Sequence, residues 1–237
     1  MNEYTPDEMM AVEASRRLAD GMVCFVGIGL PSLAANLARH THAPGCVLVY
    51  ESGTIGSKPV ELPLSIGDGE LAETADAVVS VPEMFAYWLQ GGRIDVGFLG
   101  AAQIDRHGNL NSTVIGPYDE PAVRLPGGGG APEIAIGVRD VFVMLKHTRR
   151  AFVSALDFTT SSGENVRVVV TDLGVLEPVG GELTLVAVHP GADPDRARAE
   201  TGWELRVADD LRETDRPSDG ELRTLRTLRT KGARDAA

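Results

Sequence analysis

The run Val47-Leu-Val-Tyr-Glu-Ser-Gly-Thr-Ile-Gly56 carries the residue best placed to do chemistry. Four strand-forming apolar residues deliver Glu51 to the end of an element, and Gly53 and Gly56 bend the backbone just beyond it. Open α/β sheets bind their ligands at the C-terminal ends of their strands, where this pattern predicts Glu51 to stand. Gly53 has no Cβ to keep a reacting group away. A carboxylate held there can serve as acid, base or covalent nucleophile. The same pattern also describes a solvated turn residue, so the rest of the chain has to decide.

Two further glycine clusters stand out, and the second could bring bare backbone against a ligand. Gly27-Ile-Gly29 follows the apolar run Met22 to Val26, and Arg124-Leu-Pro-Gly-Gly-Gly-Gly-Ala-Pro-Glu133 contains four successive glycines. Consecutive free N–H groups can form a concavity for an anion or an amide. Gly27 and Gly29 lack the third glycine and the downstream acid of a dinucleotide fingerprint, which argues against a nicotinamide cofactor. Between residues 100 and 111, Gln103, Asp105, Asn109 and Asn111 are dense in groups that bond backbone, and Gly108 permits a left-handed turn. We expect them to fasten a loop at the sheet end and so shape a pocket wall.

The elements that must position these residues follow from periodicity and punctuation. Helical spacing runs from Asp7 to Asp20, with Thr5-Pro6 to start it and Gly21 to end it. Met22 to Val26 predicts a strand, Pro31 to Arg39 a helix with proline in its first turn, and Cys46 to Tyr50 the next strand. Strand, glycine turn, helix, strand is a βαβ unit with a right-handed crossover. The Gly- and Pro-rich stretch 57–69 reads as a binding loop. Strands are expected at 77–81, 94–99, 141–145, 152–158 and 166–171. A hairpin is expected from 175–178 to 183–188 around Gly180-Gly181, with a short helix over 194–201. Residues 83–89 read as a short amphipathic helix whose Phe85, Tyr87 and Trp88 serve core or interface. The fold class is therefore α/β, an open, doubly wound, mostly parallel sheet with flanking helices. We expect one domain over 1–212, then a charged helix and loose tail over 213–237, beginning near the repeat Leu-Arg-Thr-Leu-Arg-Thr-Leu-Arg.

Composition bounds the function. A chain of 237 residues with 43% hydrophobic and 24% charged content can bury a full core. Its net charge of −12 argues against a nucleic-acid partner. Cys24 and Cys46 lie in apolar runs and read as reduced, buried small residues. Histidines 40, 42, 107, 147 and 189 are scattered, and no metal-ligand spacing is visible. No secretory signal or membrane-length apolar run is apparent, so the expected location is cytoplasmic and off the membrane.

Taken in order, several segments resemble the β subunits of the class I coenzyme A transferases. They are Cys24-Phe-Val-Gly-Ile-Gly-Leu-Pro-Ser32, Tyr50-Glu-Ser-Gly53, Leu62 to Asp76, Tyr87 to Asp105, the Arg124 to Ala135 glycine loop and His189-Pro-Gly191. The resemblance spans roughly Glu3 to Glu213 and is closest to the branch holding 3-oxoadipate and glutaconate CoA-transferases. It implies that Glu51 is a covalent nucleophile forming a glutamyl-CoA thioester. It implies that Gly129, Gly130 and Ala131, with Gly27 and Gly29, contact the pantetheine arm through backbone. Coenzyme A would then be a substrate, with no cofactor held permanently and no metal.

The same resemblance implies an α subunit of similar fold, assembled as two α and two β chains, and substrates that are acyl-CoA thioesters and dicarboxylic acids. Transfer from succinyl-CoA to 3-oxoadipate, in aromatic-compound catabolism by the β-ketoadipate pathway, is the first reading. A glutaconate-type transferase is its nearest rival, and a thioester hydrolase of steroid-ring degradation is a third. That hydrolase branch replaces the motif glutamate, whereas this chain keeps Glu51. A non-catalytic subunit is the reading from another class, and an intact Glu51 motif weighs against it. Lys58, Arg93 and Arg124 are candidates to hold the far carboxylate of the acceptor. One departure from the family pattern stands out: relatives carry a Gly- and Arg-rich insertion where this chain has only Ser162-Gly-Glu-Asn-Val166.

Overall fold

The computed structural model describes residues 3–234, with side chains to residue 228. The chain divides into two compact units, one formed by residues 1–98 and 216–237 and the other by 99–215.

In the first unit, α1 (Pro6–Arg16) starts with a capping box in which Thr5 and Glu8 satisfy each other's backbone N–H groups. It stops four residues before the expected end, because Arg17 closes it and Leu18 reaches the core from a turn. The βαβ unit is present as predicted: β1 (Val23–Phe25), α2 (Leu30–His40) and β2 (Val47–Val49), with β1 and β2 parallel. β3 (Thr54–Ile55) turns back antiparallel on β2. After the loop 57–68 come α3 (Gly69–Glu73), the short edge strand β4 (Ala77–Val78) and α4 (Val81–Glu83).

The helix expected over 83–89 is instead a π-helical turn, Met84–Leu89, closed by a bond from Gln90 N–H to Phe85 O. The extra residue per turn rotates Tyr87 outward, where it is 65% exposed, while Phe85 meets Phe25 edge-on at 6.2 Å. β5 (Val96–Leu99) pairs parallel with β1, giving the strand order β5-β1-β2-β3-β4.

The second unit opens with two small hairpins, β6 (Gln103–Ile104) with β7 (Leu110–Asn111), and β8 (Val114–Ile115) with β9 (Val123–Arg124). The glycine loop leads into α5 (Ala131–Gly137) and then β10 (Asp140–Met144). β10 pairs parallel with β11 (Val166–Val170), which starts an antiparallel meander through β12 (Gly174–Val179) and β13 (Glu182–Val188). The β12–β13 turn lies at Gly180-Gly181, as the sequence predicts. After α6 (Pro194–Ala199), β14 (Arg206–Glu213) adds parallel to β13 at the edge.

The strand expected over 152–158 does not form. Phe152 makes one bridge to Ile104 and lies between the His147 and Trp203 rings, with centroids at 3.9 and 5.8 Å, so stacking rather than a ladder buries it. The short link 162–166 is a close-fitted turn. Gly163 N–H donates to Asn109 Oδ1 at 2.9 Å, and Gly163 lies so near the backbone of residues 107–109 that no Cβ would fit.

The charged repeat near the C-terminus forms α7 (Asp219–Arg234), which returns to the first unit. Its three-residue spacing puts Leu222, Leu225 and Leu228 on one face, and all three are buried. Leu225 and Leu228 share a cluster with Ala11 and Val12 of α1 and Leu33 and Leu37 of α2. Arg16 bonds Glu221 at 2.8 Å and Arg226 bonds the buried Glu8 at 2.9 Å, which fixes the rotation of α7 against α1. The last residues of the expected tail, 235–237, lie outside the described residues.

Candidate active site

Parallel pairing of β1 with β2 sets the geometry around Glu51. Phe25 pairs with Val49, and Gly27 and Glu51 each lie two residues beyond that pair, at the same edge of neighbouring strands. The next turn is tight: Gly53 N–H donates to Tyr50 O at 2.9 Å and Tyr50 N–H to Thr54 O at 3.0 Å. Glu51 and Ser52 therefore form the tip of a four-residue turn. The Gly53 φ of +101° suits only glycine, and a Cβ there would collide with the Val79 carbonyl of the strand-end beside it.

Glu51 is half-buried, and among the described residues its carboxylate has no hydrogen-bond or ion-pair partner. The neighbouring Ser52 hydroxyl is buried and also without a partner. A turn built this firmly around an uncommitted carboxylate leaves that carboxylate able to react.

The glycines at the end of β1 are open above. A Cβ at Gly27 or Gly29 would meet nothing within 4 Å. Gly29 has φ +79° and begins α2, whose Pro31 follows in the first turn. Beneath them Tyr50 is fully buried, its hydroxyl 3.4 Å from Ser32 Oγ of α2. Burial holds the Tyr50 phenol above its ordinary pKa, so it remains a neutral prop under the turn.

In the second unit, the glycine loop is fastened by Ser112, whose hydroxyl donates to Gly127 O at 3.1 Å while Gly127 N–H donates to Ser112 O at 2.9 Å. Gly129 is exposed with φ +52° and open space around it, Gly130 is buried just before α5, and Ala131 begins that helix half-buried. Asp105 accepts from the N–H groups of His107 and Asn109 at 2.9 and 3.0 Å, and Asn111 donates to Gln103 at 2.7 Å. These polar residues fasten a loop, the role their types predict. Gln103 then donates to Asp157 at 2.9 Å, which also accepts from Gly116 N–H at 3.1 Å.

The three expected carboxylate binders are differently engaged. Lys58 pairs with Asp76. Arg124 lies over the Tyr118 ring at 4.9 Å and bonds its carbonyl. Arg93 is exposed. Cys24 and Cys46 are buried free thiols, as expected.

The joint role of two histidines escapes a reading of the sequence. His147 Nε2 and Thr201 Oγ1 are 2.9 Å apart, and its other ring nitrogen is 3.4 Å from Thr171 Oγ1. His189 meets the Thr171 carbonyl at 2.8 Å and Thr214 at 2.9 Å. Scattered in sequence, they pin the loops of the second unit through Thr171, and burial lowers the His147 pKa to about 4. Among the described residues no group of three or more His, Cys, Asp or Glu side chains could hold a metal ion. No helix among them is long and apolar enough to cross a membrane.

The sheet presents an unpaired carboxylate at a strand end, and comparison with known proteins gives the class. The coenzyme A transferase family model matches residues 7–199, and the chain belongs to that family. It is 53% identical to a subunit of the 3-oxoadipate CoA-transferase of Pseudomonas knackmussii, over 98% of this chain and 96% of that protein. The alignment runs to 250 positions, longer than this chain, so it includes gaps. The fold superposes on glutaconate coenzyme A-transferase from Acidaminococcus fermentans with a TM-score of 0.89 at 30% identity, covering 96% of this chain and 95% of the other. The decarboxylase AibA/AibB also superposes with a TM-score of 0.89, at 29% identity, covering 99% of this chain and 98% of the other.

Proposed function

We propose that this chain is the β subunit of a CoA-transferase that moves coenzyme A from succinyl-CoA to 3-oxoadipate, with Glu51 as the nucleophile. The observation that carries the reading is the free, half-buried Glu51 carboxylate at the tip of a glycine-locked turn, beside open backbone at Gly27 and Gly29.

The chemistry balances without ATP. The Glu51 carboxylate attacks the thioester carbonyl of succinyl-CoA, giving a mixed anhydride and CoA thiolate. The thiolate attacks the glutamyl carbonyl, forming a glutamyl-CoA thioester and releasing succinate. A carboxylate of 3-oxoadipate then attacks that thioester, regenerating a mixed anhydride and thiolate. Attack of the thiolate on the 3-oxoadipyl carbonyl gives 3-oxoadipyl-CoA and frees Glu51. Two moderate barriers replace one high one, which is the purpose of covalent catalysis.

The pantetheine arm lies along Gly27 and Gly29, and Gly129, Gly130 and Ala131 contact it through backbone. Remote contacts of this kind hold the carbonyl against the nucleophile. CoA is a substrate here, and no resident cofactor is required. A partner α subunit supplies oxyanion donors, the term that usually dominates acyl transfer. The assembly is α2β2, and it works in the cytoplasm on metabolites of aromatic-compound breakdown.

The test is a panel of acceptor acids offered to the αβ complex with succinyl-CoA. Faster exchange onto 3-oxoadipate than onto glutaconate supports the assignment. Preference for glutaconate gives the chain to that branch, and release of CoA without any acceptor makes it a hydrolase.

A further inference from the structure

A cavity of about 500 Å³ lies at the opposite end of the first unit's sheet from Glu51. Its walls are the C-terminal end of α2 with Arg39 and His40, the start of the 57–68 loop with Lys58, and the α7 face carrying Arg223, Thr224 and Thr227. β3 runs back along β2, so Ser57 N–H bonds Leu48 O and the loop begins beside the start of β2. Three residues of chain separate Leu48 from Glu51, about 10 Å when extended.

The lining is cationic in a chain of net charge −12. Arg39 is half-buried, and its Nε is buried without any hydrogen-bond partner. Its remaining contacts are long, 3.5 Å to Asn36 Oδ1, 3.4 Å to His40 Nε2 and 3.5 Å to Pro59 O. Burial lowers the Arg39 pKa, because a part-buried guanidinium loses hydration. Arg223 is exposed and has no ion-pair partner among the described residues. Lys58 is matched by Asp76. The Glu70 carboxylate nearby is engaged by the N–H groups of Val60 and Glu61. The negative end of α2 offsets about half a charge. Two guanidiniums therefore face the cavity against about one and a half negative charges, the Glu70 carboxylate, whose charge neutral N–H donors leave in place, and the end of α2.

We propose that this pocket, framed by Arg39, Lys58, Arg223 and the Thr224 hydroxyl, binds a phosphate-bearing anion. Forked guanidiniums bond phosphate oxygens in pairs, and threonine hydroxyls take further oxygens. The volume accommodates a small phosphorylated metabolite. The site also has a route to the catalytic turn. Along one face of α2, Arg39 meets Asn36, Asn36 Nδ2 lies 3.4 Å from Ser32 Oγ, and Ser32 Oγ meets the hydroxyl of Tyr50, the residue before Glu51.

The experiment is calorimetric titration of the full-length chain with pyrophosphate as probe, inorganic phosphate and acetate as further arms, and the variants Arg223→Ala and Arg39→Gln. Arg223 is exposed, so its variant is expected to fold normally. Pyrophosphate binding tighter than about 1 mM, weakened at least about tenfold in either variant and not reproduced by acetate, is the expected result. No binding by the unmodified chain, equal binding by both variants, or equal binding of acetate would overturn it. The readout is binding alone, so its failure leaves the assignment of Glu51 standing.

Discussion

Replacing Gly53 by alanine should damage stability and turnover together, because one backbone position supports both. Its φ of +101° costs any L-residue roughly 1–3 kcal/mol. The added methyl would also meet the Val79 carbonyl, a backbone atom fixed by the bond from Val79 N–H to Gly53 O at 2.9 Å. Overpacking against such a rigid neighbour adds about 1–3 kcal/mol. The sum, roughly 2–5 kcal/mol, corresponds to a melting-point fall of about 5–20 °C for a chain of this size.

Relief can come only by moving the turn, and that turn carries Glu51. A displacement near 1 Å costs on the order of 100-fold in turnover. Differential scanning calorimetry and exchange assays on the αβ complex read the two effects. Gly69→Ala is the control: it lies in α3 with ordinary φ and open space, and should be neutral or stabilising by up to about 1 kcal/mol. A Gly53→Ala protein that melts and turns over like its parent would refute this reasoning.

Stability should fall as pH drops from the ordinary histidine value of 6.5 towards 4, because unfolding lets buried, neutral His147 take up a proton. The full contribution is about 3 kcal/mol, and His147→Gln should flatten denaturation midpoints across that window; an unchanged slope would count against burial as the cause. Leu225→Ala should cost about 2–5 kcal/mol in urea unfolding, because α7 is integral to the first unit's helical layer; a loss under about 0.5 kcal/mol would mean the helix is only loosely docked. If Glu51 is the nucleophile as proposed, Glu51→Asp should keep assembly but cut exchange by at least about 100-fold, since the shorter side chain withdraws the carboxylate by more than about 1 Å.

Much of the site's frame was readable because its punctuation is local. The glycines after Val26 and Glu51 and the proline at the start of α2 each mark a boundary that needs no tertiary knowledge. The rest depended on contacts remote in sequence. β14 is an edge strand, and edge strands carry charge, so Arg206-Val-Ala-Asp-Asp-Leu-Arg-Glu213 shows no clean alternation. Phe152 reads as strand because it is buried, but aromatic stacking buries it. The π-helical turn at 84–89 cannot be told from an α-helix by composition, since both bury Met84 and Leu89. The cationic pocket was invisible because Arg39, Lys58 and Arg223 are far apart in the chain and meet only when α7 returns.

The covalent state of Glu51 during turnover is the most direct measurement of all. The αβ complex should be mixed with succinyl-CoA, reduced with borohydride, digested and read by mass spectrometry. The peptide containing Glu51 should carry that residue reduced to the alcohol, and only when succinyl-CoA was present. An active complex in which Glu51 emerges unmodified, or in which the mark falls on another residue, would contradict the assignment.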